Sequence, residues 1–209
     1  MVKLIEAVCT GNNGRSVIVD AHGNAYINRN NLSDQIRFIS SGVEAAPEHD
    51  EQWDYEKASF VFAKTRLAGF ISDEVDKNRY HSDSIYKVHT DTMAKGFLRV
   101  LRDLETRNRD AALGRTGLSY WGERTQTVPR DDVHLVLAMT ERHKDRVEEL
   151  YSGRDHVPTI TTFNAYVGLN GDVKGCLGEL SDRCHSELSR YVAGHMPTVV
   201  ERFRGEVGV

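Results

Sequence analysis

Residues 3–16, KLIEAVCTGNNGRS, run from an apolar stretch into a turn-forming segment that begins with a cysteine and ends in an arginine and a serine. No other stretch limits the fold as tightly. Leu4, Ile5, Ala7 and Val8 suit a strand covered on both faces. Cys9 then falls at the strand's carboxyl end, where open α/β sheets bind their ligands. Gly11, Asn12, Asn13 and Gly14 tolerate unusual backbone angles, so the N–H groups from Thr10 to Ser16 can converge into a nest for an anion. A helix starting near Ser16 points its positive end at the same place. Arg15 adds a planar fork that matches two oxygens of a phosphate. Such positive surroundings favour the thiolate of Cys9. The segment therefore reads as a loop that holds a tetrahedral oxyanion and presents a nucleophile to its central atom.

A chain of 209 residues, 39% of them apolar, can bury one good core, and a single elaborated domain is the simplest division. The net charge of −4 provides no broad basic field, so no nucleic-acid partner is expected. No apolar stretch approaches the ~20 residues of a membrane span, and the N-terminus lacks the charged and apolar regions of a signal peptide. These features point to the cytoplasm and away from a membrane. Cys9, Cys176 and Cys184 make no disulfide framework, and an odd count fits a free reactive thiol in a reducing compartment. His81, Asp83 and His89 fit no metal-binding spacing, so neither a metal nor a cofactor is expected.

The string Cys9-Thr10-Gly11-Asn12-Asn13-Gly14-Arg15-Ser16 resembles the loop pattern C-x-G-N-x-x-R-S of the low-molecular-weight protein tyrosine phosphatases, which thiol-dependent arsenate reductases share. The resemblance covers about 1–43 and 130–204. It implies an α/β fold with a four-stranded parallel sheet flanked by helices. In sequence order the pattern predicts a helix over Val17–Asn30, a strand over 36–43, a buried strand over Val133–Met139 and a charged helix capped by Thr140. A fourth strand is expected over 157–163, followed by a short Asn164-Ala165-Tyr166 segment. A last helix is expected over Glu179–Phe203, with a break near Pro197. Residues 44–130 depart from the family pattern and read as a helical insertion, with amphipathic helices over Gln52–Ile71 and Ile85–Leu104. The insertion's expected role is extra core or a homodimer face, ahead of a lid that selects substrates. Trp53, Tyr55 and Trp121 are candidates for an aromatic wall beside the cleft, with core packing as their plainer role.

The resemblance implies a cysteine-dependent phosphatase acting on phosphate monoesters, with phosphotyrosine protein as the expected substrate and a phosphocysteine intermediate. Cys9 is the expected nucleophile. Arg15 and the loop Thr10, Gly11, Asn12, Asn13, Gly14 and Ser16 would bind the phosphate, with Asn12 and Ser16 organising the loop. The family takes the leaving-group proton from an Asp-Pro pair, and Gly175-Cys176 stands in that place here. Asp172 is the nearest substitute and Asp182 the next. The family's second loop cysteine is replaced by Gly14. Two alternatives stand beside this reading. One is an arsenate reductase with Cys176 and Cys184 as relay thiols; the other is a phosphate-binding regulatory module with weakened catalysis.

Overall fold

The computed structural model describes residues 2–45, 102–176 and 181–209. In chain order these give β1 (Lys3–Cys9), α1 (Arg15–Arg29), β2 (Ile36–Gly42), the helical residues 102–114 (α2), β3 (Val133–Ala138), α3 (Glu141–Tyr151), β4 (Thr159–Thr162), the single turn α4 (Phe163–Tyr166) and α5 (Arg183–Val207). The four strands form one parallel sheet in the order β2-β1-β3-β4. The expected insertion helices lie outside the described residues, apart from the part of the second that enters α2. So do Trp53, Tyr55, His81, Asp83 and His89.

Alternation along β1 divides the core. Ile5, Ala7 and Cys9 face the side where α1 and α5 pack, with Ile18, Val19, Leu188, Val192 and Phe203 closing over them. Leu4 and Val8 face the opposite side, against Val136 and the α3 residues Val147 and Tyr151. A parallel sheet must be covered on both faces, which is why its central strands read as unbroken apolar runs. Glu6 is the exception: it is buried at 2% exposure, and its Oε1 accepts from the Ser41 hydroxyl. Burial pushes its carboxyl above the usual range.

The edge strand β2 is tied to α1 by side chains. Asn24 Oδ1 accepts from the Phe38 N–H at 3.1 Å while its Nδ2 donates to the Phe38 carbonyl at 2.9 Å, so one amide side chain satisfies both groups of an edge peptide. Next to it, Asp20 accepts from the Ser40 hydroxyl at 3.0 Å and from Asn24 Nδ2. Burial pushes the Asp20 carboxyl up to about 6 from its ordinary 3.8. The folded chain thus holds this proton more tightly than the unfolded chain. The contribution to stability is full below about pH 4 and is lost as pH rises through about 6. Asp20→Asn is therefore expected to stabilise the protein by about 1–3 kcal/mol near pH 7.5 and to be close to neutral near pH 4. Urea midpoints at the two pH values check this, and an equal effect at both would refute it. Comparison with the parent cancels His22 and His185, whose burial-lowered values of about 4 act in the opposite direction.

Besides shifts in helix ends, the structure departs from the sequence expectations at Pro197, at Trp121 and at two of the cysteines. Helix α5 continues through Pro197 without a break. The bond that Pro197 cannot donate would go to Ala193, an exposed residue whose carbonyl water can reach, while buried Met196, Val199, Val200 and Phe203 hold both halves of the helix on one core. Trp121 is 91% exposed, so it contributes nothing to the core. Cys176 and Cys184 are joined in a disulfide with Cα atoms 5.7 Å apart, so the expectation that the cysteines form no disulfide does not hold, and Cys9 is left as the free cysteine. Among the described residues no helix is long and apolar enough to cross a membrane.

Candidate active site

Cys9 ends β1, and α1 begins only six residues later at Arg15, so the chain from 10 to 14 has to turn tightly over the carboxyl edge of the sheet. Helix α1 starts two residues earlier than the periodicity predicts, which places Arg15 and Ser16 in its first turn. No side chain caps the N–H groups of that turn, and they are left to face the loop. Asn12 takes up the strain of the turn with a positive φ of 48°, a conformation asparagine tolerates better than most residues. Its side chain fixes that conformation: Nδ2 donates to the Ser40 carbonyl at 3.3 Å, and Oδ1 accepts from the Ser16 hydroxyl at 3.0 Å. Ser16 Oγ also lies 3.0 Å from Cys9 Sγ, so a single hydroxyl joins the sulfur to the residue that shapes the loop. Asn12 and Ser16 are thus linked to each other, to the Ser40 carbonyl and to Cys9.

The loop carbonyls have outward partners. Cys9 O accepts from Val43 N at 3.0 Å, Thr10 O from Glu44 N at 2.8 Å, and Gly14 O from Ile18 N at 3.1 Å. Gly11 O accepts from Arg124 Nε at 2.9 Å and Asn13 O from Arg109 Nη1 at 2.8 Å. In a trans peptide the carbonyl and the following N–H point in opposite directions. Holding these carbonyls outward thus turns the N–H groups of residues 10, 11, 12, 14 and 15 the other way, as an anion nest requires. Gly42 makes this packing possible: a Cβ there would lie 2.6 Å from both Asn12 N and Thr10 O.

Three further segments converge on the loop. His143 of α3 meets Thr10 Oγ1 at 2.8 Å. Helix α2 grips Asn13, whose Nδ2 donates to the Arg102 carbonyl and to Glu105 Oε2, both at 3.2 Å, and whose Oδ1 accepts from Thr106 Oγ1 at 2.8 Å. Glu105 Oε1 would stand 2.6 Å from a Cβ on Gly14, so glycine at that position lets the carboxyl come close to the loop. Burial raises the Glu105 carboxyl above the usual range, against the lowering effects of Asn13 and the nearby arginines. The chain at 171–176 crosses Arg15: Arg15 Nη1 donates to the Val173 carbonyl at 3.1 Å, and a Cβ on Gly175 would lie 3.6 Å from Arg15 Cζ. Val173 N in turn donates to the Met139 carbonyl at 2.9 Å, which ties this crossing to the end of β3.

The structure thus brings together Cys9, Thr10, Gly11, Asn12, Asn13, Gly14, Arg15 and Ser16. Asp172 lies one residue from the Arg15 contact but is exposed, and its Oδ1 accepts from the Glu141 N–H at 2.9 Å, at the start of α3. Asp182 pairs with Arg115. Sequence reasoning missed Arg109, Thr106, Glu105, Arg124 and His143. The first four lie in a charged stretch with no motif, and His143 reads only as one more polar residue on a charged helix. Among the described residues no cluster of His, Cys, Asp and Glu is arranged to hold a metal.

No protein-family model matches the sequence, and no curated protein matches it either. Solved structures do match. A low-molecular-weight protein tyrosine phosphatase from T. tengcongensis is 19% identical with a TM-score of 0.53, over 96% of this chain and 99% of that one. The YwlE arginine phosphatase from Geobacillus stearothermophilus is 17% identical with a TM-score of 0.56, over 98% and 94%. A protein tyrosine phosphatase from Entamoeba histolytica, with Hepes in its active site, is 11% identical with a TM-score of 0.60, over 99% and 98%. Taken with the sheet order and the position of the Cys9 loop, these likenesses establish that the chain has the fold of the low-molecular-weight protein tyrosine phosphatases.

Proposed function

We propose that this protein is a cysteine-dependent phosphatase of phosphate monoesters, acting on phosphotyrosine in proteins. The observation that carries the reading is the pairing of Cys9 Sγ with Ser16 Oγ at 3.0 Å at the foot of a loop whose carbonyls are held outward. A phosphate seated on the N–H groups places phosphorus in line with the sulfur. Cys9 attacks, the phosphorus–oxygen bond to the leaving group breaks, and a phosphocysteine forms. Water then hydrolyses it and returns the thiolate. Arg15 and the loop N–H groups balance the charge that develops on the equatorial oxygens. Once Cys9 has given up its proton, the Ser16 hydroxyl turns its one hydrogen from Asn12 Oδ1 to the sulfur and eases the sulfur's departure in the second step. We assign the leaving-group proton to Asp172, which precedes Val173, the residue whose carbonyl Arg15 holds; to deliver it, the side chain leaves the Glu141 N–H.

The test is phosphate release from phosphotyrosine, phosphoserine and phosphoarginine peptides. Release from phosphotyrosine is expected to be at least about tenfold faster than from phosphoserine, and vanadate should block it. Absence of release from every ester would overturn the reading. Faster release from phosphoarginine would transfer the substrate class to that named for the Geobacillus neighbour. Reduction of arsenate by the fully reduced protein would point instead to a reductase that uses the Cys176–Cys184 pair.

A further inference from the structure

Two of the outward carbonyls of the loop are held by guanidinium groups, not by backbone. Arg109 is the more buried of the two residues: it is 7% exposed, and its charge is matched by Asp110, whose Oδ1 lies 2.9 Å from Nε and 2.8 Å from Nη2. The guanidinium also lies 5.5 Å from the centre of the Tyr120 ring. Asp110 and Tyr120 thus fix two sides of the plane, leaving Nη1 to meet the Asn13 carbonyl at 2.8 Å. One helical turn back, Thr106 and Glu105 hold the Asn13 side chain. The Asn13–Gly14 peptide is therefore gripped by α2 at both its side chain and its carbonyl. A buried arginine on a loop carbonyl does more than an uncharged donor would. It polarises the peptide so that the opposite N–H carries more positive charge, and it adds positive charge, offset in part by the half-exposed Asp110, to a region screened from water.

We propose that Arg109 is a positioning residue of the anion loop, fixing the Asn13–Gly14 peptide with its N–H toward the bound oxyanion and lending positive potential to the Cys9 sulfur. This rests on the reading of the loop as a phosphate site, and it extends that site to a helix outside the motif. Glu105, also on α2, offsets part of the charge, while Arg15 adds to it. The balance at the sulfur therefore depends on Arg109 remaining charged and in place.

The test uses the full chain without added reductant, so that the disulfide persists and Cys9 is the one free thiol to be alkylated. Iodoacetate is an anion and iodoacetamide is neutral, so the ratio of their rates at Cys9 reports the local potential. A merely loosened loop changes both rates together. In Arg109→Met the ratio is expected to fall about tenfold, and the phosphate concentration that half-protects Cys9 from iodoacetamide to rise about tenfold. Arg109→Gln keeps a donor without the charge and should show the same fall, and it serves if the methionine variant does not fold. Arg109→Lys keeps the charge and should recover most of the ratio. An unchanged ratio and unchanged phosphate protection in Met and Gln variants that melt as the parent does would overturn the proposal. If the parent protein releases no phosphate from any ester, yet phosphate still protects Cys9 and Arg109→Gln weakens that protection, the phosphatase reading fails while the role of Arg109 stands.

Discussion

Cys9→Ser is expected to lower hydrolysis of p-nitrophenyl phosphate by about 10⁴-fold or more while leaving phosphate bound. The substitution exchanges one atom of similar size, and a serine hydroxyl can keep the contact that Sγ makes with Ser16 Oγ. What it removes is the low-cost anion. A hydroxyl stays protonated at neutral pH, and the side chain that hydrogen-bonds Sγ among the described residues is the Ser16 hydroxyl, a poor base. The loop N–H groups and Arg15 are untouched, so vanadate and phosphate should still bind. Initial rates with both proteins, together with phosphate protection or calorimetry, provide the check. Activity within tenfold of the parent would mean that another group performs the displacement.

The second large effect is expected at Arg15. Arg15→Lys retains a positive charge at about the same place but loses the planar fork, and it should reduce kcat/KM by about 10²–10³-fold. Two functions are lost together. The guanidinium can span two equatorial oxygens, which a single ammonium cannot. Its Nη1 also holds the Val173 carbonyl at 3.1 Å and so keeps residues 171–176 across the loop. Because the loop N–H groups remain, KM should change less than kcat. A fall carried mostly by KM would show that Arg15 contributes to binding alone, and equal activity would remove it from the site.

The signals that made the sheet legible were local. Val133–Ala138 is apolar because it lies at the centre of the sheet, and Thr140 marks the start of α3 because its hydroxyl accepts from the His143 N–H. The loop was equally readable, since glycine, asparagine and a basic fork occur together where backbone and charge both have to serve an anion. Its supports were hidden. Arg109, Thr106 and Glu105 reach Asn13 from residues more than ninety positions away, and no spacing rule covers a helix that packs by tertiary contact. Pro197 misled because its local cost is outweighed by apolar residues on both sides of it. The pairing of Cys176 with Cys184 required knowing that Cys176 lies beside the first turn of α5.

That pairing bears on how the protein is handled at the bench. Assays of thiol enzymes routinely contain dithiothreitol to keep the nucleophile reduced, and the same reagent opens any disulfide it can reach. Here the bridge anchors Cys176, the neighbour of Gly175, which lies against Arg15. A dithiothreitol series on this protein is thus a titration of two sulfur populations at once, and rates measured with and without it belong to two differently tethered molecules.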